Sequence, residues 1–284
     1  MKWQRNYEIT ITTLDNIQYT IAPPFSVSFS IKCSLAEVPN EATVTIFNLG
    51  KNTRNALHKD KFTYYEKWPI TIKAGYGNQL YLIFKGNIIE AYSERKEADW
   101  ITTISAMDGQ FVMQNFQISE SLSRGGDLDG IISGNVKALN MNIGQVLVGL
   151  PKSRRGMVAE GTLKDLLDMT VPGGWFIDRE ELNIIGKTGV IGDVVFKLNR
   201  NQLLATPRKR DRCLECETLF YPQLQIGRYL DLENSVNQYN GQYQIAEVNH
   251  DVDILGSEGG SAVTKILLFM SQYAEDTVFV GSTA

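Results

Sequence analysis

Residues 25–33 alternate without interruption. Phe25, Val27, Phe29, Ile31 and Cys33 are apolar, while Ser26, Ser28, Ser30 and Lys32 are polar. A period of two belongs to a β-strand with one face in a core and the other toward solvent or a partner. Tyr7, Ile9 and Ile11 repeat the pattern nearer the start, and Ala42-Thr43-Val44-Thr45-Ile46-Phe47 continues in β-type residues. Asn48-Leu49-Gly50 interrupts the strands, and 53–59 reads as one short helix. Further strands are predicted over 70–73, 80–84, 88–92 and 100–106. Turn signals separate them at Gly75-Tyr76-Gly77-Asn78, Lys85-Gly86-Asn87 and Asp108-Gly109. Short strands at this spacing predict a barrel or sandwich, here a first β domain over residues 1–109.

The middle of the chain changes period. After the break at Ser123-Arg124-Gly125-Gly126, Leu128, Ile131, Ile132, Val136 and Leu139 recur at helical spacing. Thr162 with Asp165 three residues on forms a capping box for a second helix, whose apolar face is Leu163, Leu166 and Leu167. Pro172-Gly173-Gly174 stops it. Trp175-Phe176-Ile177 and Leu182-Asn183-Ile184-Ile185 flank Asp178-Arg179-Glu180-Glu181 as a hairpin. Residues 110–193 therefore read as a small α/β module inserted between β domains.

Strands return over 194–198, 214–220, 229–232, 243–248 and 263–269, with Asn240-Gly241 as a hairpin turn signal. Residues 194–284 form a second β domain, whose tail from Ser271 orders only against a partner. The fold class is mainly β (α+β): two β-barrel domains and an inserted α/β module.

Charge and composition narrow the function. Lys and Arg number 28 against 32 Asp and Glu, giving a net charge of −4, the wrong sign for a nucleic-acid-binding domain. The N-terminal stretch lacks the apolar core of a secretory signal, and no apolar run approaches the ~20 residues that span a bilayer. Folding in the cytoplasm is the expectation. Three cysteines, Cys33, Cys213 and Cys216, cannot all pair. Cys213-Leu214-Glu215-Cys216 matches C-x-x-C, but strand alternation puts its thiols on opposite faces and no helix N-terminus lowers their pKa. They are expected to be packing residues.

Reactive chemistry finds little support. His58 and His250 are the only histidines. His58, beside Lys59 and Asp60, is expected in solvent, and His250 to make a hydrogen bond at a strand end. No G-x-S-x-G elbow, His-Glu-x-x-His pair or P-loop is present. Asp251 and Asp253 beside His250 make a weak cluster. Catalytic, cofactor-binding and metal residues are all expected to be none. A tail-associated peptidoglycan hydrolase needs two carboxylates facing across one cleft, and the acids are spread along strands and turns. A glycan-binding module would use exposed Trp68, Trp100 or Trp175, residues more readily assigned to packing. The basic stretches Lys152 to Arg155 and Arg208-Lys209-Arg210 are expected as solvated loops or contacts to an acidic partner.

The order of motifs carries a resemblance. Ala42-Thr43-Val44-Thr45-Ile46-Phe47-Asn48-Leu49 resembles the strand, Asn-Leu and short-helix signature of baseplate hub proteins of contractile-tailed bacteriophages. Ile72-Lys73-Ala74-Gly75-Tyr76-Gly77 followed by Ile83-Phe84-Lys85-Gly86-Asn87-Ile88 is similar to a hairpin of that family, and Ala106-Met107-Asp108-Gly109 to the turn ending its first domain. The segment from Gly161 to Leu167 resembles the family's middle helix. Pro222-Gln223-Leu224-Gln225-Ile226-Gly227 and Asn240 through His250 resemble its closing domain.

The resemblance implies a structural protein rather than an enzyme, with two tail-tube-like barrels in one chain. It implies a homotrimer whose six barrels join a hexameric tail tube protein to a trimeric central spike protein, beside other baseplate proteins. DNA would pass through the channel without sequence-specific binding, and the free form would meet no membrane. Its place would be the virion's tail baseplate, assembled in the host cytoplasm.

Overall fold

The alternation at 25–33 becomes strand Val27–Ser34, with Val27, Phe29, Ile31 and Cys33 buried and Ser30 and Lys32 exposed. A computed structural model of the chain describes residues 4–63, 66–109, 117–139, 141–149, 156–186, 189–192, 195–233, 236–255 and 260–269. The tail from Ser271 and the loop Lys152 to Arg155 lie outside the described residues.

The first β-rich part holds β1 (Arg5–Thr12), β2 (Gln18–Ile21), β3 (Val27–Ser34), β4 (Glu41–Phe47), α1 (Lys51–Ala56), β5 (Pro69–Tyr76), β6 (Gln79–Lys96) and β7 (Asp99–Met107). The middle holds β8 (Gln117–Leu122), α2 (Leu128–Ala138), β9 (Asn142–Val146), β10 (Met157–Thr162), α3 (Leu163–Thr170), β11 (Trp175–Asp178) and β12 (Glu181–Ile184). The last part holds β13 (Val195–Asn199), β14 (Arg208–Arg210), β15 (Cys213–Leu219), β16 (Tyr229–Glu233), β17 (Gly241–Ile254) and β18 (Ala262–Phe269). The chain is mainly β with a small helical content, as expected.

The two β-rich parts are joined by a strand pairing that the sequence pattern does not reveal. Long β17 pairs antiparallel with β3, from Glu247 opposite Ser34 to Ile254 opposite Val27. Among the described residues this makes one sheet of 13 strands, running β14-β15-β18-β17-β3-β4-β7-β6-β5-β1-β2, with β13 and β16 attached through β17. The period-two pattern could not show this, because it specifies which face is apolar and not which strand lies alongside. One core cluster runs through both parts, from Ile9, Ile46 and Ile72 to Phe220, Leu230 and Leu268. The sheet curls so that its distant strands meet: Arg5 Nη1 donates to Asp253 O at 3.1 Å and Tyr76 Oη to Phe220 O at 2.9 Å.

Two predicted turns resolve differently. Lys85-Gly86-Asn87 is no turn, since β6 runs straight through it. Gly86 is there because a Cβ would lie 2.5 Å from Met107 O, so the glycine permits close approach of β7. The Asn240-Gly241 hairpin exists, with Leu232 opposite Gly241, but its loop is longer and includes the 3-10 turn Asn237–Tyr239. β17 then continues through His250 to Ile254 rather than ending before it.

The module keeps a core of its own. α2 presents Leu128, Ile132 and Val136, and α3 presents Leu163, Leu166 and Leu167, to Trp175, Ile177, Leu182 and Ile184. The capping box forms as read: Asp165 N donates to Thr162 Oγ1 at 3.2 Å and Thr162 N to Asp165 Oδ2 at 2.7 Å. β11 has both faces covered. Trp175 and Ile177 face the module core, while Phe176 between them belongs to the core of the sheet.

Candidate functional site at the module joint and the sheet edges

The most elaborate polar constellation lies where the module meets the sheet. The β11–β12 hairpin turns on Arg179 and Glu180, both with positive φ (58° and 60°). Two such residues suit a tight hairpin, yet neither is glycine, and each position costs on the order of 1 kcal/mol or more. The surroundings hold the turn in place. Glu180 N donates to Asp108 Oδ1 at 2.9 Å, Asn87 Nδ2 to Glu180 Oε1 at 2.8 Å, and Lys85 Nζ lies 3.3 Å from Glu180 Oε2. Asn40 Nδ2 donates to Ile177 O at 3.0 Å, and Asp108 N to Asn40 O at 2.8 Å. Gly109 follows with φ of 71°, and a Cβ there would lie 2.7 Å from Ile177 Cδ1. The Ala106-Met107-Asp108-Gly109 motif thus gains a physical role, which is to seat the module's hairpin.

A second contact lies beside the first. Gly173 N donates to Glu37 Oε1 at 2.6 Å. Asp168, next to Glu37, accepts from Trp175 Nε1 at 3.0 Å and pairs with Lys164. Lys67 Nζ donates to Leu139 O at 2.9 Å. Burial raises the pKa of Asp108, and the Asp178 charge adds to this. Burial likewise raises Asp178, despite the opposing Arg179 guanidinium, and raises Glu37, where Asp168 is a lesser cause.

A cleft of about 220 Å³ opens beside the hairpin, between Asp178, Arg179 and Asn183 on one side and Gln225, Ile226 and Arg228 on the other. Its acids do not form the facing pair that glycan hydrolysis needs. Asp178 and Glu181 are register partners at the end of one hairpin, and Asp178 engages Asn40 and Arg179. Among the described residues no group of three or more His, Cys, Asp or Glu side chains could hold a metal. None of their helices is long and apolar enough to cross a membrane.

The residues singled out by sequence scatter. His58 is exposed. His250 is buried in mid-strand, its Nδ1 2.9 Å from Thr264 Oγ1 and its ring edge-on to Phe220 at 5.4 Å. Burial lowers its pKa to about 3, so it is neutral near pH 7. Asp251 and Asp253 do not join it. They lie on the outer face, accepting from Ser30 Oγ at 2.7 Å and Ser28 Oγ at 2.6 Å. Cys213 and Cys216 fall on opposite faces of β15, and burial pushes Cys216 up to about 12. Trp68 and Trp175 are buried, and Trp100 lies under the Arg54 guanidinium at 3.8 Å, which covers a would-be sugar platform.

Sequence reading passed over Lys59, Glu37 and Asn40. Lys59 is buried, donating to Ile88 O at 2.6 Å and Glu66 O at 2.8 Å, and burial lowers its pKa to about 8. No short-range pattern distinguishes these polar residues from solvated neighbours.

Among the described residues the sheet path ends in strands that pair on one side only. β14 at one end is Arg208-Lys209-Arg210, wholly exposed, and β2 lies at the other. Leu14 and Ile17 stand exposed in the β1–β2 turn, and Val158 and Met169 are exposed on the module. Open edges and exposed apolar side chains are surfaces that other chains can use.

The comparisons with known proteins agree with one another. A family model described as baseplate hub gp41 matches residues 7–256. No curated protein sequence matches significantly. The fold is similar to the 43 kDa tail protein of prophage MuSo2 from Shewanella oneidensis, with a TM-score of 0.65 at 10% identity, covering 94% of this chain and 98% of that one. A tail protein from Neisseria meningitidis MC58 gives 0.61 at 8% identity, covering 93% and 96%. The E. coli c3393 protein is a type VI secretion system component described as structurally similar to T4 bacteriophage tail proteins gp27 and gp5. It gives 0.59 at 8% identity, covering 91% and 77%.

Proposed function

We propose a function from one premise: the chain belongs to the baseplate hub gp41 family. It is a structural component of a phage tail baseplate, and it works by being contacted rather than by turning over a substrate. Three copies form a ring that joins a hexameric tail tube to the trimeric central spike of a contractile tail. Within each copy the two β-rich parts act as the tube-like units, divided from the module at 109/110 and 193/194. The ring is assembled in the host cytoplasm and resides in the virion.

The observation that carries this reading is the family match over residues 7–256, nearly the whole chain, on a fold shared with tail proteins. The physical features support it. Among the described residues the sheet path has at each end a strand paired on one side only, which offers backbone donors and acceptors at two separate surfaces. A head-to-tail contact between two different surfaces of identical chains closes into a ring when the rotation allows. The polar groups at the module joint are engaged with one another across a packing interface, an arrangement that fixes geometry.

The test mixes the purified chain with the tube and spike proteins of its own particle and measures mass by analytical ultracentrifugation. Three copies per spike trimer are expected, with electron microscopy of the particle placing the density between tube and spike. A chain that stays monomeric in the mixture, or density elsewhere in the tail, overturns the proposal. Clearing of a peptidoglycan zymogram would put the hydrolase reading first.

A further inference from the structure

The sheet edge at β14 carries cations that have little to face. Arg208, Lys209 and Arg210 are all exposed, as is Arg212 in the turn to β15. Among the described residues Arg210 meets Glu215 at 3.4 Å, while Arg208, Lys209 and Arg212 form no ion pair. β14 pairs with β15 alone, from Arg208 opposite Glu215 to Arg210 opposite Cys213. The edge continues back along β15 to Leu203, which bridges to Thr218, and Leu204, whose N–H donates to Glu217 O at 2.8 Å. Leu204 is 48% exposed. Starting from Arg210, the edge thus presents cations first and an apolar side chain after them.

The sequence that follows β18 has the complementary order. Residues 270–284, outside the described residues, contain one acid pair, Glu275-Asp276, and no Lys or Arg. The β-type run Thr277-Val278-Phe279-Val280 comes directly after it. The point of departure suits this edge as well. Phe269 at the end of β18 lies opposite Cys213, and Cys213 lies opposite Arg210, so the three strands end in line. A strand added beyond β14 would lie three inter-strand spacings from β18, or ~14 Å. Residues 270–274 reach ~17 Å when extended. A chain crossing at that end brings Glu275 to Arg210. Continuing antiparallel to β14, it carries residues 277–280 toward Leu204.

We propose that residues 275–280 add to β14 of their own chain as a closing strand, with the acid pair against Arg208 to Arg210 and the apolar run toward Leu204. The backbone groups on the outer side of β14 then gain partners. The short tether holds the segment at high local concentration, which favours its own edge over that of a neighbouring copy. Charge alone can keep strands off an edge, but that role asks nothing of the chain after Phe269. A neighbour that uses this end of the sheet must first displace the segment, whereas β2 at the other end carries no such requirement. The inference stands without the hub assignment.

The test is zero-length carbodiimide cross-linking of the dilute full chain, which joins a lysine amine to a carboxylate in direct contact, with the peptides read by mass spectrometry. Lys209 should be joined to Glu275 or Asp276. In an equal mixture of 15N-labelled and unlabelled chains, both halves of each linked pair should carry the same label. Hydrogen exchange gives a second reading. Glu275→Gln combined with Asp276→Asn should speed exchange at residues 208–210 by about tenfold, while Val44 and Ile104 in β4 and β7 hold steady. Absence of the link, links between differently labelled chains, or unchanged exchange at residues 208–210 in the double variant overturns the proposal.

Discussion

In the sheet, Phe220 packs edge-on against Phe29 and His250 and leans on Tyr76, joining strands from both ends of the chain. In the module, Trp175 is equally buried but sits among Leu166, Leu167 and α2, and its indole N–H ends on the Asp168 carboxylate. The first core is continuous with a hydrogen-bonded sheet, so its loss is shared by everything attached. The second is small and secured to the first by Phe176, Ile185 and a set of carboxylate contacts. Two regions of one chain thus differ in how far damage travels.

The strongest way to break that comparison is in the sheet. Phe220→Ala should lower global stability by about 3–5 kcal/mol, read as a shifted urea midpoint with amides of both β-rich parts losing protection together. The mirror experiment is Leu167→Ala in the module, expected to cost about 2–4 kcal/mol. Its loss should appear in the amides of α2 and α3 while those of β3, β4 and β7 keep theirs. A common loss across the molecule in the second variant would erase the distinction between the regions.

Acid should weaken the sheet through His250. His250 is neutral in the folded sheet with a pKa of about 3, while the unfolded chain binds a proton near 6.5. The stability it supports is full above pH 6.5 and is lost as pH falls toward 3, at about 1.4 kcal/mol per pH unit. Denaturant titrations between pH 7 and 4 should show this slope, and His250→Gln should flatten it.

Smaller effects sharpen the picture. Thr162→Ala removes the side-chain half of the α3 capping box, leaving the backbone N–H at 162 to donate to Asp165, and should destabilise the module by about 1 kcal/mol, seen as faster exchange at Asp165 and Leu166. Lys73→Ala breaks the ion pair with Glu8 at 2.8 Å on the sheet surface, where side chains are 44% and 37% exposed. Its effect should stay under about 0.5 kcal/mol in a thermal melt, because solvent already screens the pair.

Strand identity was legible wherever one face is buried. Val27, Phe29 and Ile31, or Ile70 and Ile72, declare their inward face through spacing alone. The Thr162 cap and the Trp175 hairpin were equally plain, since each depends on residues within ten positions of one another. Gly86 misled because a glycine in a strand and a glycine in a turn look alike until the neighbouring backbone is placed. Asp108 was seen as a turn residue, and its bond to Glu180 was not foreseeable, as the partner lies 72 positions away.

By itself the chain's pattern determined many of the strands and the two helices of the module and, through the order of its motifs, the family to which the chain belongs. Only the tertiary structure decided that β17 lies beside β3 and makes one sheet of two β-rich parts, that Lys59 and Asp108 are buried, and that Asp251 and Asp253 turn away from His250. The reason is physical. Local spacing fixes which side chains share a face, whereas strand partnership and the burial of a charge depend on residues that meet only after the chain has closed loops of many tens of residues.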